Sequence, residues 1–330
     1  MTAQATVYHV PVMASAVVRL MLGAPAGPLV DGTLGGGGHA AALVEAMREV
    51  GEEREVIGID QDPEALAAAT ARFATLSHAR FRAVHGNFRH VARLVPEKAA
   101  AILLDLGVSS WQLDAAHRGF AIKHPDSPLD MRMDPTRGVP AGELIASLDV
   151  PGLARVLRDF GEVKDAHRLA DRIKEAQASG KLGTTGELAR LVEREASGRG
   201  QPASRRPSTS GRRLTVHPAT LVFQALRIAV NDELGALDQV LAEAPEALLP
   251  GGRLLVMSYH SLEDRRVKHA FLEGENGPPR PAKLPPPSDW RPTWKVLTRQ
   301  ALTADDDEIA ANPRARSARL RAAMYVGGAA

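Results

Sequence analysis

Four consecutive glycines, Gly35 to Gly38, stand between an apolar run, Pro28-Leu29-Val30-Asp31, and a helical stretch from Ala40 to Glu49. Glycine weakens the interior of both helix and strand, so such a run marks a turn. There it permits positive φ and lets backbone approach a ligand, while the helix that follows offers unpaired N–H groups. A strand–glycine turn–helix unit is therefore expected, and the next residues repeat its logic. Glu55 to Asp60 is a short apolar run ending on an acid, and Pro63 opens a helix through Phe73, where proline is tolerated in a first turn. Phe81 to His85 and Ala100 to Leu106 supply a third and a fourth strand. Apolar strands alternating with helices imply βαβ units and a parallel sheet covered on both faces.

The pattern changes at about residue 111. Leu153, Val156, Leu157 and Phe160 recur at helical spacing up to Gly161, and Ala166, Leu169, Ala170 and Ile173 repeat it. Thr184 with Glu187 forms a capping-box pattern ahead of Leu188, Leu191 and Val192. No strand pattern interrupts this region, which ends in a Ser/Pro/Arg stretch from Gly200 to Gly211. Sheet signals then resume. Phe223, Leu226, Val230, Leu237 and Leu241 stripe one long helix. Arg253 to Ser258 is a fifth strand, and Lys295 to Thr298 and Arg319 to Val326 are candidates for two more. The expectation is an α/β domain made of residues 1–110 and 218–330, interrupted by an all-helical insertion over 111–217.

Composition narrows the chemistry. The 330 residues include no cysteine, which excludes disulfides, thiolate nucleophiles and cysteine-ligated zinc. The formal net charge of +2 does not by itself indicate nucleic acid; clustering of charge has to. Arg199, Arg205, Arg206, Arg212 and Arg213 crowd one segment, and Arg314, Arg316, Arg319 and Arg321 another. Each cluster alone reads equally as a solvated surface; the two together favour phosphate contacts. The apolar stretch from Val10 to Leu22 lacks a basic leader and contains Arg19, so it reads as an amphipathic helix with Val12, Ala16 and Leu20 on one face. No run approaches a membrane span, and the cytoplasm is the default compartment.

Asp60 ends the second strand 22 residues after Gly38. A carboxylate there accepts both hydroxyls of an adenosine ribose. Which nucleoside is bound stays open on this pattern, because Gly35-x-Gly37-x-x-Ala40 also satisfies a loose dinucleotide fingerprint and admits an NAD-linked oxidoreductase. Asp31, just ahead of the loop, suits a sulfonium with an amino-acid tail better than a pyrophosphate, which favours S-adenosylmethionine.

Longer motifs follow in order: Asp31 to His39, Ile59 to Pro63, His85 to Phe88, Leu103 to Ser110, Gln112 to Asp114, Arg118 to Phe120, Pro128 to Pro135, Phe223 to Ile228, Ser258 to Arg265 and Asn312 to Ser317. Together they resemble the bacterial 16S rRNA (cytosine-N4) methyltransferase family, also known from the cell-division and cell-wall gene cluster. The resemblance runs from His9 to about Arg321. It implies a Rossmann-like class I methyltransferase sheet carrying the helical insertion, S-adenosyl-L-methionine as donor, and a decoding-centre cytidine of 16S rRNA in the small ribosomal subunit as acceptor. By matching positions it implies that Gly37, Gly38 and His39 line the methionine end of the cofactor. Asp60 holds the ribose, Phe88 packs on adenine, and Asp105 and Gln112 complete the pocket. The insertion is then the RNA-binding part. Two departures concern RNA docking only: Gly161-Glu162-Val163 lacks a second Glu, and the basic 199–213 segment is long and rich in Ser and Pro.

A cytosine N4 is a poor nucleophile because its lone pair is delocalised into the ring. Acceptors that hold its N–H groups align it for attack. Most amino-methyltransferases use an Asp/Asn/Ser-Pro-Pro-aromatic motif at the fourth strand for this; Asp105-Leu106-Gly107-Val108-Ser109-Ser110 stands in that place, so Asp105 or the adjacent carbonyls meet the amine, or else Asp105 serves the cofactor alone. His260, just after the fifth strand, takes the N4 proton, contacts RNA or is structural. No metal is required. Neither a membrane partner nor a fixed oligomeric state follows, although a homodimer is compatible with the chain. Rival readings are a methyltransferase of another acceptor and a non-catalytic RNA-binding factor on the same fold. Reaching N4 requires the base to leave its stack.

Overall fold

The computed structural model describes residues 11–76, 79–197, 218–280 and 290–327. Seven strands form one sheet: β1 Leu29–Asp31, β2 Val56–Asp60, β3 Phe81–His85, β4 Ala99–Asp105, β5 Leu248–Ser258, β6 Trp294–Val296 and β7 Arg319–Tyr325. Their order is β3-β2-β1-β4-β5-β7-β6. The first five are parallel, and β7 runs antiparallel to both β5 and β6. The order reverses between β1 and β4, so the carboxyl ends of those strands flank a topological switch point, where ligands bind in open α/β sheets.

Side-chain alternation explains why the strands read as continuous apolar runs. Leu103 of β4 joins one core with Val17, Met21, Leu43 and Met47, whereas Ile102 and Leu104 join the other with Val240, Leu254, Val256 and Phe271. Successive side chains enter opposite faces, and both faces are covered. Helices α1 Ala14–Leu22, α2 Gly38–Val50 and α3 Pro63–Phe73 contribute to the first core, and α4 Val91–Leu94 to the second. The α3 start has Asp62 accepting from Glu64 N at 3.1 Å with Pro63 next to it, a capped entry. The buried face of α1 is Val17 and Met21, one residue round from the expected Ala16 and Leu20. A nine-residue helix tolerates such a shift because apolar residues occupy most of its positions.

The chain divides into two compact units, one of residues 1–109 and 234–330, the other of 110–233. The second contains α5 Ser110–Asp114, α6 Ala141–Ser147, α7 Val150–Gly161, α8 Ala166–Ala178, α9 Thr185–Ser197 and α10 Pro218–Asn231. Its core is the set of stripes read from the sequence: Leu153, Ala154 and Leu157 on α7, Leu169 and Ile173 on α8, Leu188 and Val192 on α9. The capping box forms, with Thr184 Oγ1 accepting from Glu187 N at 3.3 Å and Glu187 accepting from Thr184 N at 3.1 Å.

Two expectations are corrected here. The stripe from Phe223 to Leu241 is not one helix. Asp232 adopts a left-handed conformation, φ 48°, between α10 and α11 Glu233–Ala247. And α10 belongs to the helical unit, not to the sheet domain beginning at 218. A Cβ on Gly161 of α7 would stand 2.6 Å from the Leu221 carbonyl, so α7 and α10 pack backbone to backbone, and Gln224 donates to the Phe160 carbonyl at 3.1 Å. The stripe of α10 fills a helical core, whereas Leu237 and Leu241 of α11 pack against the sheet. Periodicity alone does not reveal a change of partner. The remaining helices, α12 Ser261–Asn276 and α13 Asp306–Ala311, lie in the sheet unit. Among the described residues no helix is long and apolar enough to cross a membrane.

Candidate active site

Three carboxylates close three adjacent parallel strands: Asp31 ends β1, Asp60 ends β2 and Asp105 ends β4. The glycine loop after β1 is sewn to both neighbours. Gly32 N donates to the Leu103 carbonyl at 2.8 Å, and Leu34 N to the Ile59 carbonyl at 3.0 Å. Gly35 N donates to Asp60 Oδ2 at 2.7 Å. Thr33 Oγ1 accepts from the backbone N–H of Asp105 at 2.6 Å. Gly37 then starts α2 with φ 73°, where a Cβ would stand 3.0 Å from the Phe73 ring. Only glycine meets that combination without strain. Gly36 has nothing within 4 Å of an added Cβ, so the loop keeps an open flank.

Asp31 is 1 % exposed; its Oδ1 accepts from Thr33 N at 3.2 Å, and its Oδ2 is buried with no hydrogen-bond partner. Burial pushes this carboxyl up to about 6, against the pull of His39 and of the Thr33 N–H. A buried carboxylate oxygen left unpaired beside a glycine loop fits a cationic ligand group, which would satisfy it. Asp60 is likewise pushed up to about 6 by burial, opposed by the backbone N–H groups it accepts from Asp62 and Gly35. Its oxygens accept backbone N–H groups, Gly35 on Oδ2 and Asp62 on Oδ1 among them, and keep lone-pair capacity for further donors, which fits a pair of vicinal hydroxyls.

His39, in the first turn of α2, is buried; its Nε2 lies 2.8 Å from the Val12 carbonyl and its Nδ1 3.7 Å from Asp105 Oδ2. Phe88 occupies a 3₁₀ turn after β3, half-buried against the second core, with its Cβ 3.3 Å from where Gly32 would carry one. Gly37, Gly38, His39, Asp60, Phe88 and Asp105 therefore gather around the glycine loop. Gln112 is buried on α5 of the helical unit.

His260 follows β5 at the start of α12, with Nε2 3.1 Å from Oε1 of the buried Glu263. Both of its ring nitrogens are shielded from solvent. One participant was missed. Tyr259 donates its hydroxyl to Asp105 Oδ1 at 2.8 Å, and the only trace of this in the sequence is its place beside His260 in the Ser258 to Arg265 motif. Of the arginine clusters, the one at 199–213 lies outside the described residues. In the other, Arg321 is buried and paired with both oxygens of Asp264 at 2.7 and 3.2 Å, while Arg314, Arg316 and Arg319 are exposed. Arg319 pairs in register with Ser258, so it stands at the carboxyl end of β5.

A seven-stranded sheet of this order with β7 reversed, a glycine turn after β1 and acids closing β1 and β2 define a Rossmann-like class I methyltransferase domain. The model of the MraW methylase family matches residues 6–326. Curated relatives span the same length. A ribosomal RNA small subunit methyltransferase H of Heliobacterium modesticaldum is 45% identical over 97% of this chain and 99% of its own. One of Syntrophotalea carbinolica is 44% identical over 95% and 96%. Among solved structures, a SAM-dependent O-methyltransferase of Thermotoga maritima aligns with TM-score 0.38 and 10% identity over 96% of this chain and 66% of that one. The chain belongs to the MraW methylase family, and the dinucleotide reading of the glycine loop is set aside.

Proposed function

We propose that this enzyme transfers a methyl group from S-adenosyl-L-methionine to the exocyclic N4 amine of a decoding-centre cytidine in small-subunit rRNA. The observation that carries the reading is the full-length likeness to relatives named for small-subunit rRNA methylation, joined to a glycine loop beside the buried Asp31 carboxyl, whose chemistry fits a cationic group. When bound, the cofactor would supply an electrophilic methyl on a sulfonium; the S–C electron pair would stay on sulfur and the proton lost from N4 would pass to solvent.

The chain's own residues do the rest. Gly37 and Gly38 let the backbone come close to the amino-acid end, with Asp31 facing its ammonium and His39 beside it. Asp60 takes the ribose hydroxyls and Phe88 lies against the adenine. Asp105 accepts a hydrogen bond from the N4 amine, which holds the lone pair in line for attack. His260 is assigned to structure: with both nitrogens buried and Glu263 beside it, it anchors the start of α12 and does not take the proton. The helical unit grips the RNA.

The test is methyl transfer from labelled S-adenosylmethionine to small subunits purified from cells lacking this enzyme, followed by nucleoside analysis. Label in N4-methylcytidine is expected. Label in any other nucleoside, or in protein, sinks the proposal.

A further inference from the structure

Tyr259 lies 154 residues from Asp105 in sequence, yet its hydroxyl donates to Asp105 Oδ1 at 2.8 Å. Burial, and then the carboxylates of Asp105, Glu263 and Glu308, push the phenol well above its ordinary value, so it remains a donor at every working pH. It is held from behind as well: its backbone N–H donates to Glu263 Oε2 at 2.9 Å.

The other oxygen of Asp105 meets a different group. Oδ2 faces His39 Nδ1 at 3.7 Å, while His39 Nε2 lies 2.8 Å from the Val12 carbonyl. A carbonyl only accepts, so Nε2 carries a hydrogen. In the neutral ring Nδ1 then turns a lone pair toward Oδ2, and the contact is attractive only when a proton sits on one of the two. Burial favours the neutral acid, while His39 and the Tyr259 hydroxyl favour the carboxylate and Glu263 opposes it. Asp31, across the loop, also faces this group.

We propose that Tyr259 is a positioning residue for the methyl transfer: its hydroxyl occupies one oxygen of Asp105 and locks the carboxylate as the hydrogen-bond acceptor for the amine. This rests on the reading that Asp105 meets the amine. A carboxylic acid in that place would present a proton where the amine needs a lone pair, so the bond from Tyr259 sets the lower edge of the working pH range.

The experiment uses the full chain and the variants Tyr259→Phe and Asp105→Asn. One readout is kcat/KM on small subunits across pH. The other is the ¹³C titration of aspartate-labelled protein, with the Asp105 resonance assigned by its loss in Asp105→Asn. Loss of one bond to a charged group is expected to move both the rising limb and the Asp105 midpoint upward by about one unit or more, with activity recovering at high pH. An equal loss of rate at every pH with an unmoved midpoint would overturn the inference. If Asp105→Asn keeps full activity while Tyr259→Phe still moves the midpoint, it is the assignment of Asp105 to the amine that fails, and the inference with it. Should Tyr259→Phe not fold, 3-fluorotyrosine labelling, which strengthens the donor, tests the same bond in the opposite direction. The midpoint is then expected to fall, and an unmoved midpoint overturns the proposal.

Discussion

Asp31 and Asp60 bind protons in the folded chain more tightly than an exposed carboxyl does, each pushed from 3.8 to about 6. A group whose folded pKa lies above its unfolded one favours the native state at low pH. That contribution is complete below about 4 and is lost as the pH rises through about 6. A ligand bearing a cation and two hydroxyl donors reverses the preference, because all three favour the carboxylates. Cofactor binding at pH 6, where each acid is half protonated, is thus predicted to release up to about one proton. Calorimetry in buffers of different ionisation enthalpy measures this; a binding enthalpy independent of buffer would remove both acids from the site. Asp60→Ala is predicted to weaken cofactor binding by at least tenfold, since a hydrogen bond to a charged group contributes about 1.5–3 kcal/mol. It also frees the Gly35 and Asp62 N–H groups, so a small fall in Tm accompanies the loss; undiminished affinity in titration calorimetry would count against the ribose assignment. Asp31 and Asp60 were legible in the sequence because each ends an apolar run, which marks a strand terminus; Asp105 lies inside the run read as Ala100 to Leu106 and entered through the Leu103 to Ser110 motif. Tyr259 was not, because nothing local connects it to a carboxylate on another strand.

Among the elements, patterning foretold the strands and helices better than it foretold their partners. The capping box at Thr184 and the stripes of α7 and α8 depend on spacing within one segment, and such spacing is visible in one sequence. The break at Asp232 depends on which core fills the next turn, and that is decided by residues far away. Glycines show the same division. Gly119 and Gly138 have almost the same left-handed backbone, φ 69° and 70°. A Cβ on Gly119 would lie 2.1 Å from the Pro128 carbonyl oxygen, whereas one on Gly138 would meet nothing within 4 Å. Gly138→Ala therefore carries only the conformational penalty, about 1–2 kcal/mol. Gly119→Ala adds a clash with backbone that no side-chain rotation relieves, and is predicted to cost several times as much or to unfold the helical unit. Thermal melts of the two variants make the comparison, and equal Tm values would show that the 118–130 turn has room to shift.

The whole chain carries an insertion whose removal ought to leave a complete sheet. Among the described residues, every strand of the sheet, and every residue of the two cores that cover it, lies outside 110–233. The helical unit in turn fills its own centre with α7, α8, α9 and α10. The sequence announced an insertion through the loss of strand patterns at 111, but it placed the return at 218, because a helix stripe looks the same whether it covers a sheet or other helices. The boundary at 233 changes the deletion that tests the division of labour. Replacing residues 110–233 by a flexible Gly/Ser linker is predicted to give a folded protein with cooperative melting and retained S-adenosylmethionine binding. Affinity is expected to stay within about tenfold of the full chain's, a difference of about 1.4 kcal/mol. Methylation of small subunits is expected to vanish, because the part assigned to gripping RNA is gone. Ending the deletion at 217 instead leaves the apolar stripe of α10, with Val222, Phe223 and Leu226 buried in the intact chain, facing water, and that variant is predicted to aggregate. Calorimetric titration with cofactor and a melting curve on both truncations decide the matter. A soluble 217 variant beside an unfolded 233 variant would return α10 to the sheet domain.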